Sequence, residues 1–441
     1  MKHIAIVGAG QAGLQLGISL LKKGHNTTLL SNRTPENLLN GKIMSSQGMF
    51  STALNYEKEL GLNFWDDICP KNQSIQFSIV HHGQKILTWK GLTHRPFQAI
   101  DQRLKFSRWL KEFQWLGGNV LYQEADLLLL EELSKSHDLV IIAGGKANIS
   151  DLFKRDTTKS AFDKPPRELG CFYVNGVLPI SNNPGLRANI LPGIGEFFIM
   201  PGLTLSGSCN MLLFEGIPGK EFDCWKPSFS KEQILEKIKS LLGTHIPWEA
   251  ENCRSITLTD DNATLMGRYT PIVRHPFFNL PSGKPILGMA DTVVLNDPIA
   301  GQGANNASKC AKIYLDSILQ NSDNNFDEIW MQNTFNQYWE YAKWSTEWTN
   351  ILLKPLEPHI VELLSAAKDS QLLANKLASS FDDLTELFPW IQNSDTTHKI
   401  IRFFKETPSV LQNTNNDGAH SPHFSEILHK INTDETNRPN I

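Results

Sequence analysis

The sequence predicts an α/β fold: a Rossmann-like domain interleaved with an antiparallel-sheet domain, followed by a helical C-terminal region. Three observations carry that expectation. The chain opens on a short apolar run, a Gly-rich turn and an apolar helical stretch. Its middle alternates apolar and polar residues. Its later part reads with helical spacing.

Ile4-Ala5-Ile6-Val7 is an all-apolar run suited to a parallel strand covered on both faces. Gly8-Ala9-Gly10-Gln11-Ala12-Gly13 follows, then a helix through Leu14, Leu16, Ile18 and Leu20 that closes at Lys22-Lys23-Gly24, where cations and glycine suit a helix end. Residues 27–30 complete a β-α-β unit. Asp101 caps a helix running past Trp109 and Phe113 to Gly117, and residues 138–143 form another buried strand entering Gly144-Gly145. Between 160 and 275, stretches such as 196–200 and 208–214 read as antiparallel strands; Ser230 and Gln233 make a capping box for the one helix among them. Residues 285–291 return to the first domain as a strand, and a helix follows over 303–319. Tyr341, Trp344 and Trp348 fall on one helical face and are expected to be core. The expected division is 1–70, 98–160 and 276–325 for the discontinuous nucleotide-binding domain, 71–97 and 161–275 for a substrate domain, 326–411 for a helical region, and 412–441 for a mobile polar tail.

Apolar residues make up 40% of the 441 and charged residues 20%, which excludes a disordered or fibrous chain. With 42 basic against 46 acidic residues the net charge is −4, so the basic footprint of a nucleic-acid binder is missing. Six scattered cysteines give neither a metal-ligand spacing nor a disulfide framework, and His81 and His82 lack a ligand-spaced partner. No run reaches the ~20 apolar residues of a membrane span, and the N-terminus does not read as an export signal; a cytoplasmic protein is expected.

Chemistry concentrates at two places. In the first turn, Gly8 permits a sharp bend, Gly10 lets backbone approach a pyrophosphate and Gly13 allows close helix–strand contact, while the N–H groups at Gln11 and Ala12 open the helix toward an anion. No carboxylate ends the second strand; Asn32 can serve a ribose, and Arg33 an adenine or phosphate. In the second, a strand ends at Asp291, able to bond a polyol, and Pro298, Gly301, Gly303, Ala304 and Asn305 form a glycine-rich helix start suited to a ring that is anionic when reduced. Together these predict FAD rather than NAD, and so an FAD-binding domain of the glutathione-reductase-like kind. No second G-x-G-x-x-G stands in a β-α-β frame for a nicotinamide cofactor.

The chain resembles the oxygenase component of the styrene and indole monooxygenases, two-component flavoproteins. The likeness runs from the first strand to the region of Trp348. It rests on Gly8 to Gly13, Ile100-Asp101-Gln102-Arg103-Leu104, the Asp138–Lys146 stretch, and Asp297-Pro298-Ile299-Ala300-Gly301-Gln302-Gly303-Ala304-Asn305. The resemblance implies FAD delivered reduced by a separate NADH-dependent flavin reductase, a flavin hydroperoxide formed with O₂, and epoxidation of an aromatic alkene. Ser45, Gln47 and Met49 match the indole-preferring members, implying attack on C2=C3 of indole to give indoxyl and indigo; Phe97 stands where relatives more often carry a small residue. It further implies Gln47 and Pro298 at the reacting centre, Ser45, Gln47, Met49 and Phe97 around the substrate, and Ser45, Arg103 and Gly144 with the glycines on the cofactor, Arg103 opening a helix toward the pyrophosphate. Styrene is the alternative substrate. A single-component NAD(P)H-dependent hydroxylase would oxidise nicotinamide unaided, and a non-catalytic binding module on the same fold would have no affinity for flavin.

Overall fold

Strand His3–Val7 is buried from its second residue onward and lies inside a six-stranded sheet, as an all-apolar parallel strand must. The computed structural model describes residues 1–144, 147–179, 184–321 and 323–406. In this sheet the strand order is Phe277–Asn279, Pro285–Gly288, Leu139–Ile142, His3–Val7, Asn26–Ser31 and Asn119–Tyr122. The pairings are parallel except at the Phe277–Asn279 edge. Helices Gln11–Lys22, Gln102–Trp115 and Gly303–Gln320 share one core with it through Leu16, Ile18, Trp109, Phe113, Tyr314 and Ile318. Burying one such side chain contributes roughly 1.5–3 kcal/mol. Asp101 caps its helix by accepting from Arg103 N at 2.8 Å.

The second sheet runs in the order Thr257–Leu258, Glu168–Asn175, Gly207–Gly216, Gly195–Thr204, Gly185–Leu191, Asn72–His81 and Gln84–Phe97, with Thr264–Gly267 also pairing Glu168–Asn175. Alternation gives it two apolar faces. Phe197, Ile199, Leu212 and Phe214 pack with helix Lys231–His245, whose Ser230–Gln233 capping box is formed. The other face meets helices Glu328–Leu352, Pro358–Asp369, Gln371–Ser379 and Ser394–Glu406. Trp344 packs on Phe388 (ring centroids 4.7 Å) and Trp348 edge-on to Phe381 (6.4 Å). The 412–441 tail and residues Gly145 and Lys146 lie outside the described residues.

Among the described residues no helix is long and apolar enough to cross a membrane, no cluster of potential ligands could hold a metal, and the six cysteines are free.

Candidate active site

The first turn assigns its three glycines distinct physical roles. Gly8 has φ +121°, and a Cβ there would lie 2.8 Å from the Ala143 carbonyl carbon; one on Gly13 would lie 2.0 Å from Gly8 O. Gly10 is different. Its backbone is extended and nothing stands within 4 Å of a Cβ, so no protein atom requires a glycine there and the space before this N-cap is open to a ligand. Helix Gln11–Lys22 starts with no side-chain cap, which leaves its first N–H groups facing the crevice. Gln11 contributes backbone only, because its Nε2 turns inward to Gln15 Oε1 (3.1 Å) and Glu57 Oε1 (3.2 Å). Gly144 sits opposite, its carbonyl accepting from Thr292 Oγ1 at 3.1 Å. At the end of the second strand Asn32 is exposed; Arg33 is partly buried and its guanidinium has no hydrogen bond or ion pair among the described residues. Burial alone draws its pKa down.

The second turn opens a helix that packs beside the first, Gln15 Nε2 donating to Ser308 O at 3.0 Å. Ala290 holds a left-handed φ of +49°, its N–H on Cys310 Sγ at 3.3 Å. This turns out Asp291, whose carboxyl has no hydrogen-bond partner among the described residues and is pushed up to about 6 by burial. Asp297 caps the short turn Pro298–Ala300 by accepting from Ile299 N at 3.1 Å, and Gly301 (φ +63°) reverses the chain into helix Gly303–Gln320, again without a side-chain cap. Gly301 and Gly303 are exposed, and a Cβ on either meets nothing within 4 Å. Asn305 is buried and acts as a clamp: its Oδ1 accepts from Phe50 N (2.9 Å), while its Nδ2 donates to Gly48 O (2.9 Å) and Gly301 O (3.1 Å). Two uncapped helix starts, three glycines open to the crevice, an orphaned carboxyl and an unpaired guanidinium fit a dinucleotide with a polyol chain.

A cavity of about 630 Å³ adjoins this turn. Pro298, Ile299, Ala300 and Gly301 line it, with Ser46, Gly48, Phe50, Phe97, Phe198, Met200 and Trp348. Its walls continue between the second sheet and the C-terminal helices to Ile86 and Val361, both exposed. Trp348 is thus a wall of the cavity as well as core, which corrects the purely structural reading of its stripe.

Four expected positions have other partners in the structure. Ser46, Gly48 and Phe50 line the cavity, while Ser45, Gln47 and Met49 are not among its lining residues. The Gln47 amide donates to Ile100 O and accepts from Gln102 Nε2. Met49 pairs with Gln98 through both backbone bonds and receives Lys105 Nζ on its sulfur at 3.1 Å. Ser45 offers its carbonyl to Tyr173 OH at 2.6 Å. Arg103 is the fourth. Its guanidinium is 1% exposed and donates to Asp101, to both oxygens of Asp260 (2.8 and 2.9 Å), to Thr204 Oγ1 and to Gly41 O, which leaves no donor for a phosphate. Phe97 and Pro298 do line the cavity.

Sequence reasoning also missed Arg167 and Glu196 on the cavity wall, a bidentate pair at 2.7 and 2.8 Å. The available signal was strand alternation, since Glu196, Phe198 and Met200 share one face.

The parallel sheet, its two glycine turns and the antiparallel platform make a fold shared with flavin-dependent enzymes, and the cofactor is FAD. Among solved structures, a flavoprotein/dehydrogenase from Cytophaga hutchinsonii shares this fold at 13% identity, with a TM-score of 0.66 over 92% of this chain and 100% of that one. The flavin-dependent brominase Bmp2 shares it at 13% identity and a TM-score of 0.60 over 98% and 100%. Residues 145–252 match the family model of the styrene monooxygenase A substrate binding domain. The chain is 26% identical to styrene monooxygenase StyA of Pseudomonas fluorescens over 398 residues, covering 86% of this chain and 93% of that protein. It is 27% identical to StyA of a Pseudomonas species over 394 residues, with the same coverage. These matches make the chain similar to styrene monooxygenases and support a flavin-dependent monooxygenase of that type.

Proposed function

We propose that the chain takes reduced FAD from a separate NADH-dependent reductase and transfers one oxygen of O₂ to an aromatic alkene, indole being the first candidate and styrene the second. The observation that carries this reading is the apolar cavity ending on the 298–301 turn. Reduced FAD, when bound, would supply the two electrons that activate O₂, one oxygen of which goes to the substrate while the other leaves as water. The protein's own part is placement and water exclusion. The N–H groups after Gly10 would hold the pyrophosphate, Asp291 the polyol hydroxyls, Arg33 the adenine end, and the N–H groups of 301–305 the ring. Phe50, Phe97, Phe198 and Trp348 would hold an aromatic substrate against Pro298. Residues 1–70, 98–160 and 276–325 are the proposed FAD-binding unit, and 71–97 with 161–275 the substrate unit.

Two experiments test this. Supplied with FAD, NADH, a flavin reductase and indole, the chain should form indigo; without the reductase, NADH should not be consumed. Rapid NADH loss with the purified chain alone would instead mark a single-component hydroxylase. The cavity assignment has its own check. Gly48→Leu projects into the cavity beside Phe97 and Met200, each 3.6 Å from the new Cβ, and should raise the KM for indole at least about tenfold, equivalent to ~1.4 kcal/mol, with FAD affinity nearly unchanged. Met49→Leu, one residue on but outside the cavity, should leave that KM alone; equal effects of the two would refute the cavity assignment.

A further inference from the structure

Beside the 297–301 turn lies a group of carboxyls that the proposed function does not use. Glu196 and Glu215 are directly opposed on neighbouring strands, Gly195–Thr204 and Gly207–Gly216. Both point to the face that carries the cavity, since Met211 and Leu213 of the same strand line it. Glu215 is 0% exposed and Asp297 3%. Glu196 is neutralised by Arg167 through two bonds. Neither oxygen of Glu215 meets an N–H or hydroxyl donor among the described residues; its hydrogen-bonding neighbour is the Asp297 carboxyl. Two carboxyls can bond each other only if one carries a proton, and an unpaired charge in such an interior is expensive. Glu215 is the proton's natural holder, because Asp297 already accepts the Ile299 N–H, which favours the charged form.

We propose that Glu215 is a positioning residue of the cofactor site, fixing the 297–301 turn through a proton it shares with Asp297, so that FAD is held firmly only while that proton is present. The groups facing the pair are Arg167 and Glu196, together with Tyr269, whose hydroxyl donates to Asn296 O at 3.1 Å. Burial first, then the charges of Asp297 and Glu196, hold the Glu215 carboxyl well above its ordinary range. A raised carboxyl contributes stability that is complete below its unfolded value of about 4.3 and is lost as pH rises through the folded one. Above that point the proton passes to solvent, and two adjacent carboxylates drive the turn away from the sheet.

The test is FAD binding to the whole chain, followed by flavin fluorescence as the pH is raised above about 7.5, clear of the Asp291 carboxyl at about 6, where one further lost proton weakens binding by up to about tenfold per pH unit. Glu215→Gln presents a permanent N–H to Asp297, so affinity should lose its pH slope. In the same pH range, infrared difference spectra should show a deuterium-sensitive band of a buried protonated carboxyl in the wild type and none in Glu215→Gln. Should that variant not fold, Asp297→Asn gives the same two readouts, its amide donating to an ionised Glu215. A pH slope or a carboxyl band that survives either substitution overturns the proposal. It rests on the proposed placement of the flavin ring at this turn, which fails separately if Gly303→Leu, a substitution into open crevice, leaves FAD affinity unchanged.

Discussion

Gly10→Ala should abolish useful FAD affinity while leaving the apo-protein nearly as stable as before. The added methyl meets no protein atom within 4 Å and the backbone at this position is extended, so folding has no reason to object. A change at a helix cap costs about 1 kcal/mol at most here, because glycine makes no side-chain cap to lose. The crevice in front of the helix start is what the methyl enters, and a pyrophosphate drawn to those N–H groups must then stand off. We expect at least about 100-fold weaker FAD binding, ~2.7 kcal/mol, by titration. Gly13→Ala is the contrasting control: its methyl would sit 2.0 Å from Gly8 O, so the apo-protein itself should be destabilised. Full FAD affinity in Gly10→Ala would remove the first turn from the site.

Arg103→Met should act on stability instead. The guanidinium is buried between Asp101, itself 0% exposed, and Asp260. Removing it strands a carboxylate in the interior, which costs about 3–5 kcal/mol in urea unfolding. Acid behaviour should change with it. Burial pushes the Asp260 carboxyl up, but the hydrogen bonds from Arg103 and Asn262 N outweigh that and hold it below its ordinary value. A lowered carboxyl contributes stability that is present above about pH 4 and lost as pH falls through the folded value. That acid-side loss should shrink in Arg103→Met. If the variant kept wild-type stability and lost FAD affinity alone, a direct phosphate contact would be the better account.

The fold was legible because its signals are local. Four apolar residues, a spaced glycine turn and a cap such as Asp101 or Ser230 each answer to a neighbour in sequence. The crevice was legible for the same reason, since Gly10 and Gly303 need only an open N–H and no remote partner. What escaped was the direction of side chains whose partners are distant. Gln47 meets Gln102, and Arg103 meets Asp260, 157 positions away, so residue type alone did not reveal that their polar groups were already spent. The 45–50 stretch carries neither a helical nor a strand period, so nothing local pointed to Ser46, Gly48 and Phe50 as the residues of the cavity wall.

The Asn305 amide has a wider consequence. One side chain grips Gly48 and Phe50 on the cavity wall and Gly301 in the turn where we propose the flavin ring lies. These two parts of the molecule are therefore geared together, and neither can be remodelled alone. If the ring lies at this turn as proposed, a designer who widens the aromatic compartment by shifting the 48–50 backbone will also tilt its seat, so altered selectivity and looser coenzyme retention should arrive as a pair.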